Sequence, residues 1–142
     1  MYERIVLATD GSEGSKAAVQ EANKFVQLGV VKKLLILHAV KPIVQDPDVP
    51  MAAADLNSYG MSVGDEIVAR TKDMIVGDTE VEVKVLFGDP PTIVCDEAKR
   101  EEADLIIMGS RGMGPAGGLF LGSVSTRVLH YAPCPVLIAV LQ

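Results

Sequence analysis

Residues 5–14 read Ile-Val-Leu-Ala-Thr-Asp-Gly-Ser-Glu-Gly, and this stretch decides the fold. Its first four residues form a short continuous apolar run, which is typical of a strand buried on both faces. The run stops at Thr9 and Asp10. Ser12 can then cap a helix, and Glu13 is favourable in the first turn of that helix. The stretch therefore predicts a strand, a polar turn and a helix, which is the opening unit of an alternating α/β fold.

The same alternation continues to the end of the chain. Apolar runs predict further strands over 34–40, 81–87, 104–108 and 135–140, and the segments between them predict helices over 12–29, 51–76, 89–102 and 123–131. Glu82 and Lys84 alternate with apolar residues in the third strand, so we expect that strand near a sheet edge, wet on one face. Strands separated by helices favour right-handed crossovers. We predict one domain over residues 1–142, an open five-stranded parallel sheet with helices on both faces, of the Rossmann-like, doubly wound type.

Two glycines, Gly60 and Gly64, lie inside the long helix predicted over 51–76. Each weakens the helix by about 1 kcal/mol relative to Ala. A close packing contact or a hinge would explain them, and the packing contact is the simpler interpretation. The apolar stripe of this helix is predicted to consist of Leu56, Val63, Ile67 and Met74.

Composition excludes several classes of protein. The 142 residues are 49% hydrophobic and 23% charged, with a net charge of −6, which indicates a globular chain. No basic run exceeds Lys32-Lys33, so we expect no nucleic-acid partner. No apolar run approaches the ~18 residues of a membrane span, and the N-terminus does not resemble a signal peptide. We therefore expect a cytoplasmic protein without a membrane partner.

The segment over 109–122 contains six of the chain's thirteen glycines, and Ser123 opens a helix directly after it. Glycine lets successive backbone amides point into one concavity, and the helix N-terminus adds unpaired N–H groups and partial positive charge. The hydroxyls of Ser123 and Ser125 add donors. This pattern favours a phosphate-binding loop, and the alternative is a surface loop with glycines only at turns. Neither the P-loop motif nor the dinucleotide motif is present.

The glycine spacing is specific. Gly109-x-x-Gly112, nine residues and then Gly122-Ser123 resembles the signature of ATP-binding universal stress proteins. The turn after the first strand, the Leu-His-Ala-Val sequence over 37–40 and the final Pro-Cys-Pro-Val-Leu over 133–137 are also similar to that family. The resemblance covers essentially the whole chain. It implies the strand order 3-2-1-4-5 and a fold like that of the adenine nucleotide alpha hydrolases.

The resemblance also implies an adenine nucleotide, ATP or else ADP or AMP, outside the carboxyl ends of the strands. By position in the motifs it implies contacts from Ala8, Asp10, Ala39, Met108, Gly109, Gly112, Gly122, Ser123, Val124 and Ser125. Ala39 stands where the family often has Val. A side chain on Gly122 would fill space reserved for a phosphate, or would strain a backbone with positive φ. His38 is interpreted as a partly buried structural histidine.

A divalent cation is expected with the nucleotide. A triphosphate carries about four negative charges, and the loop offers mainly amides and hydroxyls to balance them. Mg²⁺ or Mn²⁺ bridging the phosphates, with Asp10 as a ligand directly or through water, would balance the site. An Asp at this position could otherwise be a turn residue or a helix cap.

Three functions fit these features. The first is a regulatory, stress-linked module whose ATP occupancy changes its binding to a protein partner, with at most slow ATP hydrolysis or self-phosphorylation. The second is an ATP-dependent hydrolase or ligase on the same fold, although no nucleophile–base pair is evident in the sequence. The third is a receiver domain, which is disfavoured because no Lys follows the last strand.

The last strand predicts self-association. Residues 136–141 are wholly apolar, and in the order 3-2-1-4-5 they form an edge with only Pro135 at its start. A long apolar edge invites pairing with another chain. We expect a homodimer through antiparallel pairing of this strand, as the family resemblance also implies. The alternative is that the fourth helix and the chain end cover the strand.

Overall fold

The computed structural model describes residues 1–44, 47–48, 52–110 and 121–140. Its strands and helices, in chain order, are β1 Arg4–Ala8, α1 Glu13–Gln27, β2 Lys33–Val40, α2 Ala53–Asp73, β3 Glu80–Phe87, α3 Pro90–Arg100, β4 Leu105–Gly109, α4 Ser123–Tyr131 and β5 Val136–Ala139. The predicted alternation is confirmed. None of the helices within these ranges is long and apolar enough to cross a membrane.

All strand pairings in the sheet are parallel, and the order is β3-β2-β1-β4-β5, as predicted. β1 lies at the centre, where Val6 is in register with Leu35 of β2 and Ile106 of β4. From β1 the chain runs outward to β2 and β3 and then returns to the other side of β1 at β4. This reversal leaves a crevice at the carboxyl ends of β1 and β4, where ligands bind in open α/β sheets.

The core forms one layer on each face of the sheet, because successive strand residues point to opposite faces. On one face Leu7 and Ile36 are buried with Ala18 and Ala22 of α1. On the other face strand residues are buried against α3 and α4, whose contributions include Val128. The continuous apolar runs of β1, β2 and β4 are explained by this two-sided burial.

The glycines of α2 are packing glycines. A Cβ on Gly64 would lie 2.7 Å from Cγ1 of Val85 and 3.0 Å from Cδ2 of His38, and a Cβ on Gly60 would lie 3.1 Å from Cγ1 of Val40. The helix therefore approaches β2 and β3 closely at this point, which favours the packing interpretation over a hinge.

The predicted stripe of α2 is wrong in part. The buried residues of the helix are Gly64, Val68 and Thr71, whereas Leu56, Val63 and Ile67 are only half-buried. Met74 follows the last helical residue and is 37% exposed. Because α2 approaches the sheet most closely at Gly64, the buried face of the helix is the one that contains this glycine.

The edge position of β3 is confirmed. Its polar side chains, however, form ion pairs and are not simply exposed to solvent. Nζ of Lys84 lies 3.1 Å from Glu97 and 3.3 Å from Glu101 of the turn that follows α3. Nζ of Lys33 lies 2.6 Å from Glu82 and 3.0 Å from Glu101. The Lys33 ammonium donates hydrogen bonds to Glu82 and Glu101, and these bonds raise the pKa of Lys33. The alternating charges therefore form an ion-pair network under α3, in which Glu97 is buried.

Candidate functional site

The carboxyl ends of β1, β2 and β4 and the first turns of α1, α3 and α4 enclose a cleft of about 560 Å³. Most of the residues predicted for the nucleotide line this cleft, namely Ala8, Asp10, Ala39, Met108, Gly109, Ser123, Val124 and Ser125. Gly122 lies directly before Ser123 and is buried as the N-cap of α4. Gly112 lies outside the described residues. The topology thus collects side chains from three separate regions of the sequence in one place.

Sequence reasoning missed other lining residues, namely Thr9, Ser12, Glu13, Gly14, Ser15, Leu37, His38, Lys41, Pro90, Val94 and Ser110. One signal could have found some of them. In a parallel α/β fold, every helix that follows a strand begins at the carboxyl edge of the sheet. The first turns of α1 and α3 were therefore candidates, including Pro90, which stands at the N1 position.

Asp10 is bound into the turn between β1 and α1. Its Oδ1 accepts hydrogen bonds from the backbone N–H of Ser12 at 2.9 Å and from the hydroxyl of Ser15 at 2.8 Å. Partial burial raises the pKa of Asp10, but the hydrogen bonds from Ser12 and Ser15 outweigh burial and hold the pKa below its ordinary value. The carboxylate is therefore ionised at neutral pH, and it faces the cleft as a fixed negative charge.

His38 has a structural contact. Its Nδ1 lies 2.7 Å from the carbonyl oxygen of Thr9. Because a carbonyl only accepts hydrogen bonds, Nδ1 carries the proton and donates it. The half-buried ring therefore ties β2 to the end of β1, in agreement with its structural interpretation.

The first turns of the three helices around the cleft differ in charge. Ser12 caps α1 through its side chain beside Asp10, and Asp89 stands at the N-cap of α3. The N-cap of α4 is Gly122, which makes no side-chain capping bond, and the first turn of α4 has no acidic residue. The unpaired N–H groups of α4 therefore form the helix end around the cleft that is best suited to an anion.

Two details of α4 refine the predictions. Gly122 has φ −68° and ψ 168°, which is extended backbone, so the expected positive φ at this glycine is wrong. The hydroxyl of Ser125 donates to the carbonyl oxygen of Gly109 at 3.2 Å. Its single proton is used to hold α4 on the end of β4, so the backbone N–H of Ser125 is the group it can offer to a ligand.

An ion pair joins the two helices on this side of the cleft. The guanidinium of Arg127 in α4 lies 3.1 Å from the carboxylate of Asp89. Hydrogen bonds from Thr92 and Arg127 hold the pKa of Asp89 below its ordinary value. The pair links the second turn of α4 to the N-cap residue of α3.

Within the described ranges, no group of three His, Cys, Asp or Glu side chains is arranged so that it could hold a metal ion. A divalent cation would therefore need ligands from the nucleotide itself. Both hydrogen bonds to Asp10 end on Oδ1, and a carboxylate offers about four lone-pair sites. Oδ2 keeps the capacity to bind a cation held by phosphates, so Asp10 fits the predicted role.

Comparison with known proteins finds matches over almost the whole chain. The model of the Universal stress protein family matches residues 1–139. A universal stress protein of Thermus aquaticus is 36% identical over 141 residues, which cover 97% of this chain and 98% of that protein.

Solved structures share the fold. Universal stress protein UspA from Lactobacillus plantarum superposes with a TM-score of 0.82 at 22% identity, covering 97% of each chain. A universal stress protein in complex with cAMP superposes with a TM-score of 0.68 at 30% identity, again covering 97% of each chain.

Proposed function

Because the chain belongs to the universal stress protein family, we propose that it is a nucleotide-binding regulatory protein whose occupancy by ATP changes its binding to a protein partner. The observation that carries the proposal is the cleft, which combines an uncapped helix N-terminus at α4 with small apolar walls at Ala8 and Ala39. The helix end suits phosphates, and the small side chains leave room for a flat nucleoside.

In this proposal, the N-terminus of α4 and the small side chains of Ala8 and Ala39 orient the nucleotide. The N–H groups of Ser123, Val124 and Ser125 bind the phosphates, together with the hydroxyl of Ser123 and the glycine-rich segment. The base lies against Ala39, and Met108 and Gly109 meet the ribose side. The related structure in complex with cAMP supports an adenine nucleotide here. ATP is the form that we propose, with ADP and AMP as further occupants.

Mg²⁺ or Mn²⁺ accompanies the nucleotide in this proposal. The cation would neutralise charge on the phosphates, and Asp10 would hold it directly or through a water molecule. The lowered pKa of Asp10 supports this role, because an ionised carboxylate is what a hard cation requires.

Regulation is favoured over efficient turnover. One pair of candidate catalytic groups in the described cleft is Ser15 and Asp10, whose side chains are 2.8 Å apart. The hydroxyl of Ser15 also accepts the backbone N–H of Asp10 at 3.1 Å and is only 7% exposed. It therefore holds the turn together. We propose at most slow hydrolysis or self-phosphorylation, and an ATP-dependent hydrolase or ligase remains the alternative.

A homodimer through β5 is part of the proposal. β5 is an edge strand, and Pro135 and Ala139 accept the backbone bonds from β4. Backbone groups alternate in direction along a strand, so those of Ile138 and Val140 face away from β4. Antiparallel pairing with a second copy would satisfy them.

One experiment tests the ligand. The protein is purified without added nucleotide and denatured, and the released small molecules are identified; the stripped protein is then titrated with ATP, ADP, AMP and cAMP by calorimetry. We expect an adenine nucleotide to be released or to bind with one site per chain. A protein that releases no nucleotide and binds none of the four would overturn the proposed function.

A further inference from the structure

Lys41 is the one Lys or Arg side chain that lines the described part of the cleft. The same lining contains two carboxylates, Asp10 and Glu13. Glu13 is paired with Lys16 at 2.9 Å, whereas Lys41 has no carboxylate partner within the described ranges. Its ammonium is therefore available to a ligand.

The backbone of Lys41 is held from both sides. The carbonyl oxygen of Val40 before it accepts the N–H of Gly88 at 2.9 Å. After it, the side-chain amide of Asn57 in α2 clamps Ile43: Oδ1 accepts the N–H of Ile43 at 2.8 Å, and Nδ2 donates to its carbonyl oxygen at 3.2 Å. The position of Lys41 beside the cleft is thus built by the fold.

Pro42 adds to this restraint, since a residue that precedes proline is confined to extended backbone. Lys41 therefore loses little backbone freedom when a ligand binds, and a preorganised contact contributes more affinity than a mobile one.

The distance from the phosphate end indicates which part of a nucleotide Lys41 meets. In the sheet order, β1 separates β2, which leads into Lys41, from β4, whose end lies beside α4. Two strand spacings amount to about 10 Å, which is the length of a nucleoside rather than of one phosphate group. With the phosphates at α4, the base extends toward Lys41.

We propose that Lys41 is a specificity residue that donates a hydrogen bond from its ammonium to an unprotonated ring nitrogen of the purine base. The assignment rests on the proposed function and names how the same site recognises the base. An ammonium has three donors and no acceptor, so it cannot pair with the amino group of adenine. Adenine offers the ring nitrogens N1, N3 and N7 as acceptors.

Replacing one ring nitrogen of the base at a time tests this assignment. Wild-type protein and Lys41→Met are titrated by calorimetry with ATP and with three analogues in which N1, N3 or N7 is replaced by CH. We expect the wild type to bind one analogue about tenfold more weakly than ATP. Lys41→Met binds ATP about tenfold more weakly than the wild type and does not distinguish that analogue from ATP. Lys24→Met removes the same charge from a pair with Glu21 in α1 and binds like the wild type.

The outcomes separate this assignment from the proposed function. If the wild type binds ATP but each analogue loses the same affinity in the wild type and in Lys41→Met, Lys41 does not contact the ring and the assignment is overturned. The same holds if Lys41→Met binds ATP as the wild type does. If the wild type binds no purine nucleotide, the proposed function fails and this assignment fails with it.

Discussion

Gly14 in α1 and Gly109 at the end of β4 are in backbone-to-backbone contact. A Cβ on Gly109 would lie 2.3 Å from the carbonyl oxygen of Gly14, and a Cβ on Gly14 would lie 2.5 Å from the carbonyl oxygen of Ser110. Real Cβ atoms do not approach backbone oxygens so closely, so a side chain at either position must push the first turn of α1 away from β4. Both segments line the cleft, and their contact sets its width.

Gly109→Ala tests this contact. We expect the free energy of unfolding to fall by about 1–3 kcal/mol because of overpacking, and ATP affinity to fall at least tenfold because the cleft is distorted. Urea denaturation and calorimetry measure the two effects. Gly60→Ala is the control for ATP affinity, because it adds the same methyl group at a packing glycine of α2 that lies outside the lining of the cleft. Wild-type stability and affinity in Gly109→Ala would show that α1 is not fixed by this contact.

Gly122→Val is expected to abolish ATP binding while the protein stays folded. The backbone of Gly122 is extended, with φ −68°, so Val can adopt its conformation, and the loss must come from filling the phosphate space at the N-terminus of α4. Calorimetry gives the affinity, and thermal unfolding gives the fold. Leu129→Ala is the control, because Leu129 of α4 is 44% exposed and lies outside the lining of the cleft, so this variant should bind ATP normally. Equal ATP affinity in Gly122→Val and the wild type would show that the phosphates do not bind beside Gly122.

The strand pattern was predictable because buried parallel strands and capped helices are local signals. The apolar run of β1, the cap at Ser12 and the Asp89-Pro90 helix start all depend on neighbours within a few residues. The buried line of α2 was not predictable in the same way, because it depends on how closely Gly64 approaches the side chain of Val85 on another element.

The same distinction between local signals and contacts of distant elements applies to the candidate site. Residues next to the glycine-rich segment were found because their spacing is a motif. Gly14, Ser15 and Lys41 were missed, since they line the cleft through contacts between elements distant in sequence, such as the clamp of Asn57 on Ile43. These residues belong to no motif, and the topology, which places the first turn of α1 at the carboxyl edge of the sheet, does not say which of them line the cleft.

Asp10→Asn is expected to weaken ATP binding in Mg²⁺ and to remove most of its dependence on Mg²⁺. Asn keeps an oxygen that can accept from Ser12 and Ser15, so the turn is retained while the charge that attracts the cation is lost. Calorimetry with ATP in Mg²⁺ and in chelator gives the two affinities for each protein. If the ratio of the two affinities is the same in the variant and the wild type, Asp10 does not act through a cation.

Asp104 predicts a pH dependence of stability. Its Oδ2 accepts the backbone N–H groups of Glu3 at 2.9 Å and Arg4 at 3.0 Å, and these bonds hold its pKa below the ordinary value. A depressed pKa stabilises the fold above the unfolded pKa of about 3.9, and this contribution is lost as pH falls through the folded pKa.

We expect Asp104→Asn to lower the free energy of unfolding by about 1 kcal/mol at pH 7, and the difference from the wild type to shrink below pH 4. Urea denaturation across pH 2–7 measures it. Asp78→Asn is the control, because Asp78 is exposed and makes no hydrogen bond or ion pair within the described chain. A difference that does not change with pH would mean that the charge of Asp104 plays no part.

Sedimentation tests the dimer through β5. We expect the wild type at micromolar concentration to sediment at twice the monomer mass of 15.1 kDa. Val140→Lys should give the monomer mass, because Val140 is 36% exposed directly after the edge strand and a charge there would enter the paired interface. Ile138→Lys is a poorer test, since Ile138 packs against the core beside α3 and α4. Val76→Lys is the matched control: Val76 is 57% exposed in the segment that follows α2, and the variant should remain a dimer. A wild type that sediments as a monomer would overturn the dimer.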